Sequence, residues 1–314
     1  MRKLFPYGYQ ESTPAMAKVL STKKRKLSYL NLLKPKACPV ALIRIGGNSD
    51  GAYLIPNDLE EVEACFSPGV CTAKSFEDEL AKQFGIRSHL CDFSSSIDAL
   101  ETQLIEGVQT FQKLWLDLKS TPSSINLDDW TNQYEPGGQD LILQIDIEGA
   151  EIRNLLHTSQ NCLNRFRIIV IELHSLEVLE QKDGWKWRIK FMMAMAWCYS
   201  LRPAISPLLK YPWARHLANL CAHKLEPYLV ERLLQKLNTN HSCVHAHANN
   251  NSHYVFTDVT SGMNIPSLIE LTFLRNDRLE GDAKSYHKPQ IPHPLDIEVN
   301  APENNKMSLN QYWL

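Results

Sequence analysis

Carboxylates and imidazoles recur in this chain where apolar runs stop. Asp92 follows SHLC, Asp146 and Glu148 follow LILQI, Glu172 and His174 end the run that starts at Ile168, and His247 and Asn249 lie in and after CVHAHA. A further run stops at the turn Ser67-Pro68-Gly69. A carboxylate at the end of a buried strand loses hydration unless something pairs with it, so its repeated placement there points to a ligand site. In open α/β sheets ligands sit outside the carboxyl ends of the strands, which is where all these residues fall. Plainer roles stand beside these. Glu151 complements the start of its helix. His245 and His247, two residues apart and on one strand face, suit packing as well as ligation. Asn249-Asn250 favour function for His247, whereas His245 is read as structural.

The elements that must position these residues follow from pattern. Residues 40–45 and 50–56 read as a strand, glycine turn and strand; residues 62–66 as a strand stopping at Ser67-Pro68-Gly69; and residues 75–84 as a helix with Ser75 as N-cap. Residues 88–91 form a short strand, residues 96–119 contain a helix, and the Ser-, Pro- and Asn-rich residues 121–139 form a loop. The runs 141–145 and 167–173 are apolar on both faces, as central parallel strands are, and a helix over 150–157 joins them into a βαβ unit. Residues 177–240 form a helical insertion holding four of the seven tryptophans, more suited to core packing than to a lid or membrane face. Strands near 243–249 and 268–274 close the sheet as an antiparallel hairpin. The expected fold is α/β, a Rossmann-like, seven-stranded, mostly parallel sheet with helices on both faces. A basic arm (1–39) precedes the domain (40–275), and an extended tail (276–314) follows it.

In order, GGNSDGAYLIP, CFSPGVCTAKSFEDELA, HLCDFS, LILQIDIEGAE and VHAHANN before IELTFL resemble the FkbM-like methyltransferases of the class I S-adenosylmethionine-dependent fold, over roughly residues 40 to 275. The acidic turn DIEGAE is the most specific element. The resemblance implies that S-adenosyl-L-methionine is the cofactor and that Ser67, Gly69, Asp92, Phe93 and Asp146 face it. Asp92 would accept hydrogen bonds from the ribose, and Asp146 would lie beside the sulfonium and the acceptor hydroxyl. Pro68 and Cys71 stand where a more glycine-rich turn is usual. Methyl transfer to oxygen needs alignment and removal of the hydroxyl proton. Glu148 and His174 are the base candidates, His174 being better matched to neutrality with an ordinary pKa near about 6.5. The alternative is a divalent ion held by Asp146, Glu172 or His247. The acceptor implied is a sugar, a glycan or a related hydroxyl-bearing small molecule.

Two other functions fit parts of the pattern. A dinucleotide-dependent oxidoreductase would also place Asp92 on ribose, although no G-x-G-x-x-G follows the first strand. A non-catalytic module of a polysaccharide-assembly complex would use the basic leader, including Lys23-Lys24-Arg25-Lys26, for a partner or a membrane face. Such a charge run is more often a solvated arm. The 314 residues carry a formal net charge of -2, which removes a general electrostatic case for nucleic acid. The eight cysteines show no C-x-x-C spacing and read as reduced thiols. No secretory h-region precedes Pro6, and the longest apolar stretch, 191–199, is far short of the ~20 residues a bilayer needs. A cytoplasmic protein is expected.

Overall fold

The computed structural model describes residues 28–137, 140–174, 176–180, 226–250, 254–281, 283–297 and 308–314. The expected basic block at 23–26 and the tryptophan-rich part of the expected insertion, 181–225, lie outside the described residues. Strands β1 (Leu42–Ile45) and β2 (Tyr53–Pro56) pair as an antiparallel hairpin around a glycine turn. Then follow β3 (Ala64–Pro68), helix α1 (Ser75–Phe84), β4 (Arg87–Cys91), β5 (Gln109–Gln112), β6 (Trp115–Leu116), β7 (Ser124–Ile125) and α2 (Leu127–Tyr134). Next are β8 (Leu141–Ile145), α3 (Glu151–His157), α4 (Gln160–Leu163) and β9 (Phe166–Leu173). The last elements are α5 (Glu226–Asn238), β10 (His241–Ala248), β11 (Val255–Thr257), β12 (Asn264–Pro266) and β13 (Ile269–Arg275).

Seven strands form one mixed sheet in the order β10-β13-β9-β8-β3-β4-β5. The five from β9 to β5 are parallel; β13 runs antiparallel to both β9 and β10. Every residue of β8 and β9 is buried, as their unbroken apolar runs require. One sheet face presents Phe66, Leu143 and Ile169 to Trp130 of α2, Leu155 of α3 and Leu233 of α5. Trp130 is fully buried and meets Phe66 edge-on, with centroids 5.1 Å apart. The other face presents Cys65, Ile142 and Val170 to Phe76 and Leu80 of α1 and to Tyr53 and Ile55 of the hairpin. Helices alone therefore do not cover both faces, because the hairpin takes part of the second. No helix among the described residues is long and apolar enough to cross a membrane.

Three expected elements are corrected. The only helical turn in residues 96–119 is a 3-10 turn at Ile97–Ala99, and β5 then pairs along the open edge of β4, where ladder hydrogen bonds outweigh a weak helical period. The expected loop at 121–139 contains β7 and α2. The side chain of Asn126 accepts from the Asp129 N–H at 2.8 Å as N-cap, and burial of Leu127 and Trp130 fixes the helix against the sheet. Ser75 is the first helical residue of α1 and Lys74 its N-cap. The buried Lys74 ammonium pairs with Asp78 and donates to the Gln109 side chain at 2.9 Å, tying α1 to the start of β5. The expected closing hairpin is present as the pair β10–β13, with the ribbon β11–β12 between them in sequence.

Gly69 lies against the backbone that follows β8. Its φ is +94°, and a Cβ there would lie 1.6 Å from the Asp146 carbonyl oxygen. Gly47 has a comparable φ of +80° but open space around it. Gly47→Ala should therefore cost about 1 kcal/mol of conformational strain, and Gly69→Ala at least about 3 kcal/mol from strain plus collision. Paired urea-unfolding curves check the difference; equal losses would show that β3 and β8 can move apart freely.

Candidate active site at the strand-order reversal

Among the parallel strands the order is third, second, first, fourth, fifth, so the strand order reverses its sense between β3 and β8. The helices that follow these two strands leave on opposite faces, α1 on one and α3 on the other. Neighbouring strands whose connections diverge leave a crevice outside their carboxyl ends, the usual ligand position in such sheets. Gly69, Asp92, Asp146 and His174 all stand at that edge. The Gly69 N–H donates to the Cys91 carbonyl at 2.9 Å, and the Asp146 N–H donates to the Pro68 carbonyl at 3.4 Å. The need for glycine at 69 is thus met first by the Asp146 backbone.

The other residues expected at the cofactor divide. Ser67 is fully buried, and its hydroxyl bonds the Glu77 carboxyl group and the Gln144 side-chain carbonyl, the latter at 2.6 Å. It supports the crevice floor and does not face the crevice. Burial pushes Glu77 up to about 7. Asp92 ties two loops: Oδ1 accepts from the Ser94 N–H and hydroxyl, both at 2.6 Å, and Oδ2 accepts from the Cys71 N–H at 2.9 Å. A carboxylate offers about four acceptor positions, so one remains for a ligand hydroxyl. Phe93 stacks on Trp115 with ring centroids 5.1 Å apart, making an aromatic wall beside Asp92.

The turn after β8 folds around one acid. The fully buried Glu151 accepts at Oε1 from the Ile147 N–H at 2.8 Å and the Gly149 N–H at 3.0 Å. Glu148 and Gly149, at φ +55° and +91°, give the chain the left-handed curl that brings those N–H groups inward. The same Glu151 oxygen lies 3.3 Å from His174 Nδ1, at the end of β9. Glu151 is therefore more than a helix-start charge: it joins the ends of two strands. Glu148, expected as an active-site acid, is 82% exposed in its side chain and stands at the rim, its carboxylate 3.8 Å from His174 Nε2. That nitrogen also lies 3.7 Å from Asp146 Oδ1 and 3.8 Å from Glu172 Oε1.

The charges perturb one another. Burial opposes a charge on His174, but Glu151, Asp146 and Glu172 outweigh it and hold the imidazole up at about 10. It carries a proton at neutrality in this arrangement, the reverse of the state a base needs. Burial pushes Asp146 up to about 7, with His174 opposing the rise and Glu151 and Glu148 adding to it. Glu172 is raised by burial and then by Asp146 and Glu270. Glu151 goes the other way, lowered because its bonds to His174 and to the turn outweigh burial.

Sequence reasoning did not give three contributors the roles they have here. Asn249 donates to Glu172 at 3.1 Å and to Glu270 at 3.2 Å, bridging acids that face each other across β9 and β13. Asp50, in the polar turn GGNSDG, adds its charge to Asp146, Glu172 and Glu270. Glu151 was visible only as an acid at the start of a helix. His247 does not join Asp146 and Glu172 as a metal ligand: its Nδ1 lies 3.4 Å from Asp296 of the tail, which also meets His245 Nε2 at 3.0 Å.

That contact makes a pH-dependent tail anchor. Burial opposes charge on His247, but Asp296 and Glu270 outweigh it against Arg44, so its pKa is raised. Burial likewise opposes charge on Asp296, which His245 and His247 nevertheless hold well below the usual carboxylate range. Stabilisation from His247 is complete below about pH 6.5 and fades as pH rises through its raised pKa; that from Asp296 is complete above about pH 3.9 and is lost in stronger acid. Asp296→Asn should cost roughly 1–3 kcal/mol at pH 5.5, and less at pH 9. Urea unfolding at the two values checks this, and a pH-independent loss would reduce the anchor to a neutral hydrogen bond.

Compared with models of known protein families and with curated proteins, the chain matches none of them.

Proposed function

We propose that the chain is an S-adenosylmethionine-dependent methyltransferase that acts on a hydroxyl of a sugar, glycan or related small molecule. The carrying observation is the acidity of the crevice at the strand-order reversal. Asp146, Glu148, Glu151 and Glu172 surround one imidazole there, with Asp92 at the end of β4 beyond β3. Such a field attracts a sulfonium cation and repels the two phosphates of a dinucleotide. The loop from Pro68 to Ser75 agrees: it holds one glycine, and its only base, Lys74, is buried and paired with Asp78. A pyrophosphate would find neither a glycine cradle nor a free cation.

In this reading the nucleoside lies across β3 and β4, with a ribose hydroxyl on the remaining acceptor position of Asp92 and the base against the Phe93–Trp115 wall. The methyl group then points towards Asp146. The acceptor hydroxyl meets Asp146 and His174; both align it for in-line attack, and Asp146 takes its proton. Asn249 and Glu270 extend the same edge with donors and acceptors suited to a polyhydroxyl acceptor. The free cysteines among the described residues suit a reducing, cytoplasmic setting.

Thermal unfolding with S-adenosylhomocysteine, S-adenosylmethionine and NAD tests this reading. A bound ligand at about 100 times its Kd stabilises the fold by roughly 2.7 kcal/mol. A shift with the sulfur nucleosides and none with NAD is expected; the opposite pattern would make the chain a dinucleotide enzyme, and no shift at all a binding module. Asp92→Asn should weaken S-adenosylhomocysteine about tenfold. Asp146→Asn should spare that binding while slowing methyl transfer to a sugar acceptor by roughly 10²–10⁴.

A further inference from the structure

We propose that Asp146, Glu151 and His174, with Glu172 alongside, form a binding site for a divalent cation of the Mn²⁺ or Mg²⁺ kind. One ligand atom from each of the first three lies within 4.8 Å of the others. The separations of 3.7 Å to Asp146 Oδ1 and 3.8 Å to Glu172 Oε1 from His174 Nε2 suit donors that share one ion at about 2.1–2.4 Å. The imidazole is held as metal-binding histidines are. Its Nδ1 lies 3.2 Å from the Glu172 carbonyl and 3.3 Å from Glu151 Oε1, leaving Nε2 turned towards the acids.

A second, independent feature points to a missing cation. Glu151 is fully buried, yet its Oε2 has no hydrogen-bond partner among the described residues, although Oε1 of the same group is shared by two N–H donors and His174. Asp146 Oδ1, which faces His174 Nε2 at 3.7 Å, is also buried and has no hydrogen-bond partner among the described residues. Buried carboxylate oxygens left without a donor are costly, and a cation between them supplies the missing partner. Carboxylate oxygens with a single imidazole favour Mn²⁺ or Mg²⁺ over thiolate-seeking ions. The site stands without the proposed methyl transfer. Its role rests on that reading: an ion here would fix the acceptor oxygen and lower its pKa, so that the proton leaves without a strong base.

The test is titration of the full chain, stripped with chelator, with MnCl₂ alone, followed by Mn²⁺ electron paramagnetic resonance and by thermal unfolding. One saturable Mn²⁺ per chain is expected, displaced by excess Mg²⁺, with at least tenfold weaker binding in Asp146→Asn and in His174→Ala. Glu172→Gln supplies the same readout if His174→Ala does not unfold cooperatively. His247→Ala, whose imidazole pairs with Asp296 and with none of the proposed ligands, should bind as the parent does. Absence of saturable Mn²⁺ binding up to millimolar concentration would overturn the site, as would undiminished binding in the Asp146 and Glu172 variants. Because no nucleoside is present, failure here leaves the S-adenosylhomocysteine shift as a separate result.

Discussion

A single buried carboxylate organises the ligand edge of this sheet. Glu151 is out of water, and its ionised form is tolerable only because Ile147, Gly149 and His174 surround it. Those three contacts set the path of the chain after β8, the direction in which Asp146 leaves the strand, and the orientation of the imidazole at the end of β9. Without them the turn would carry unsatisfied N–H groups, and His174 would lose the partner that holds its charge. The geometry of the site is therefore a consequence of one group's need for compensation.

That constraint operates only because the sheet brings the strand ends together. β8 and β9 are fully buried parallel neighbours, so their carboxyl ends emerge side by side, while the helices after β3 and β8 leave on opposite faces. Gly69 completes the arrangement from β3, its missing side chain letting the Asp146 carbonyl pass at a distance no other residue permits. Packing at that crossing, hydrogen bonding in the turn and electrostatics at His174 are three parts of one structure. The acidity that results follows from crowding carboxylates at a place where water is partly excluded, which raises Asp146 and Glu172 while it lowers Glu151.

Much of the fold was legible because long apolar runs have few places to go. The runs at 141–145 and 167–173, the strand ending at Ser67-Pro68-Gly69 and the final antiparallel pair all follow from composition and turn residues. Where local signals were weak, the sheet decided. Residues 109–112 became a strand because the edge of β4 offered hydrogen bonds, and residues 127–134 became a helix because Trp130 had a slot against Phe66.

The chemistry divides in the same way. The sequence by itself determined which residue types stand at strand ends, since a period-two or fully buried run must stop at a polar turn, and it marked Asp92, Asp146, Glu172 and His174. It could not rank them, because a side chain's charge state and direction depend on neighbours distant in the chain. Only the tertiary structure sent Ser67 beneath the floor, left Glu148 at the rim, turned His247 to Asp296 and made Glu151 the partner of His174. The physical reason is that hydration is lost, and compensated, only when segments far apart in sequence close around the same few ångströms of space.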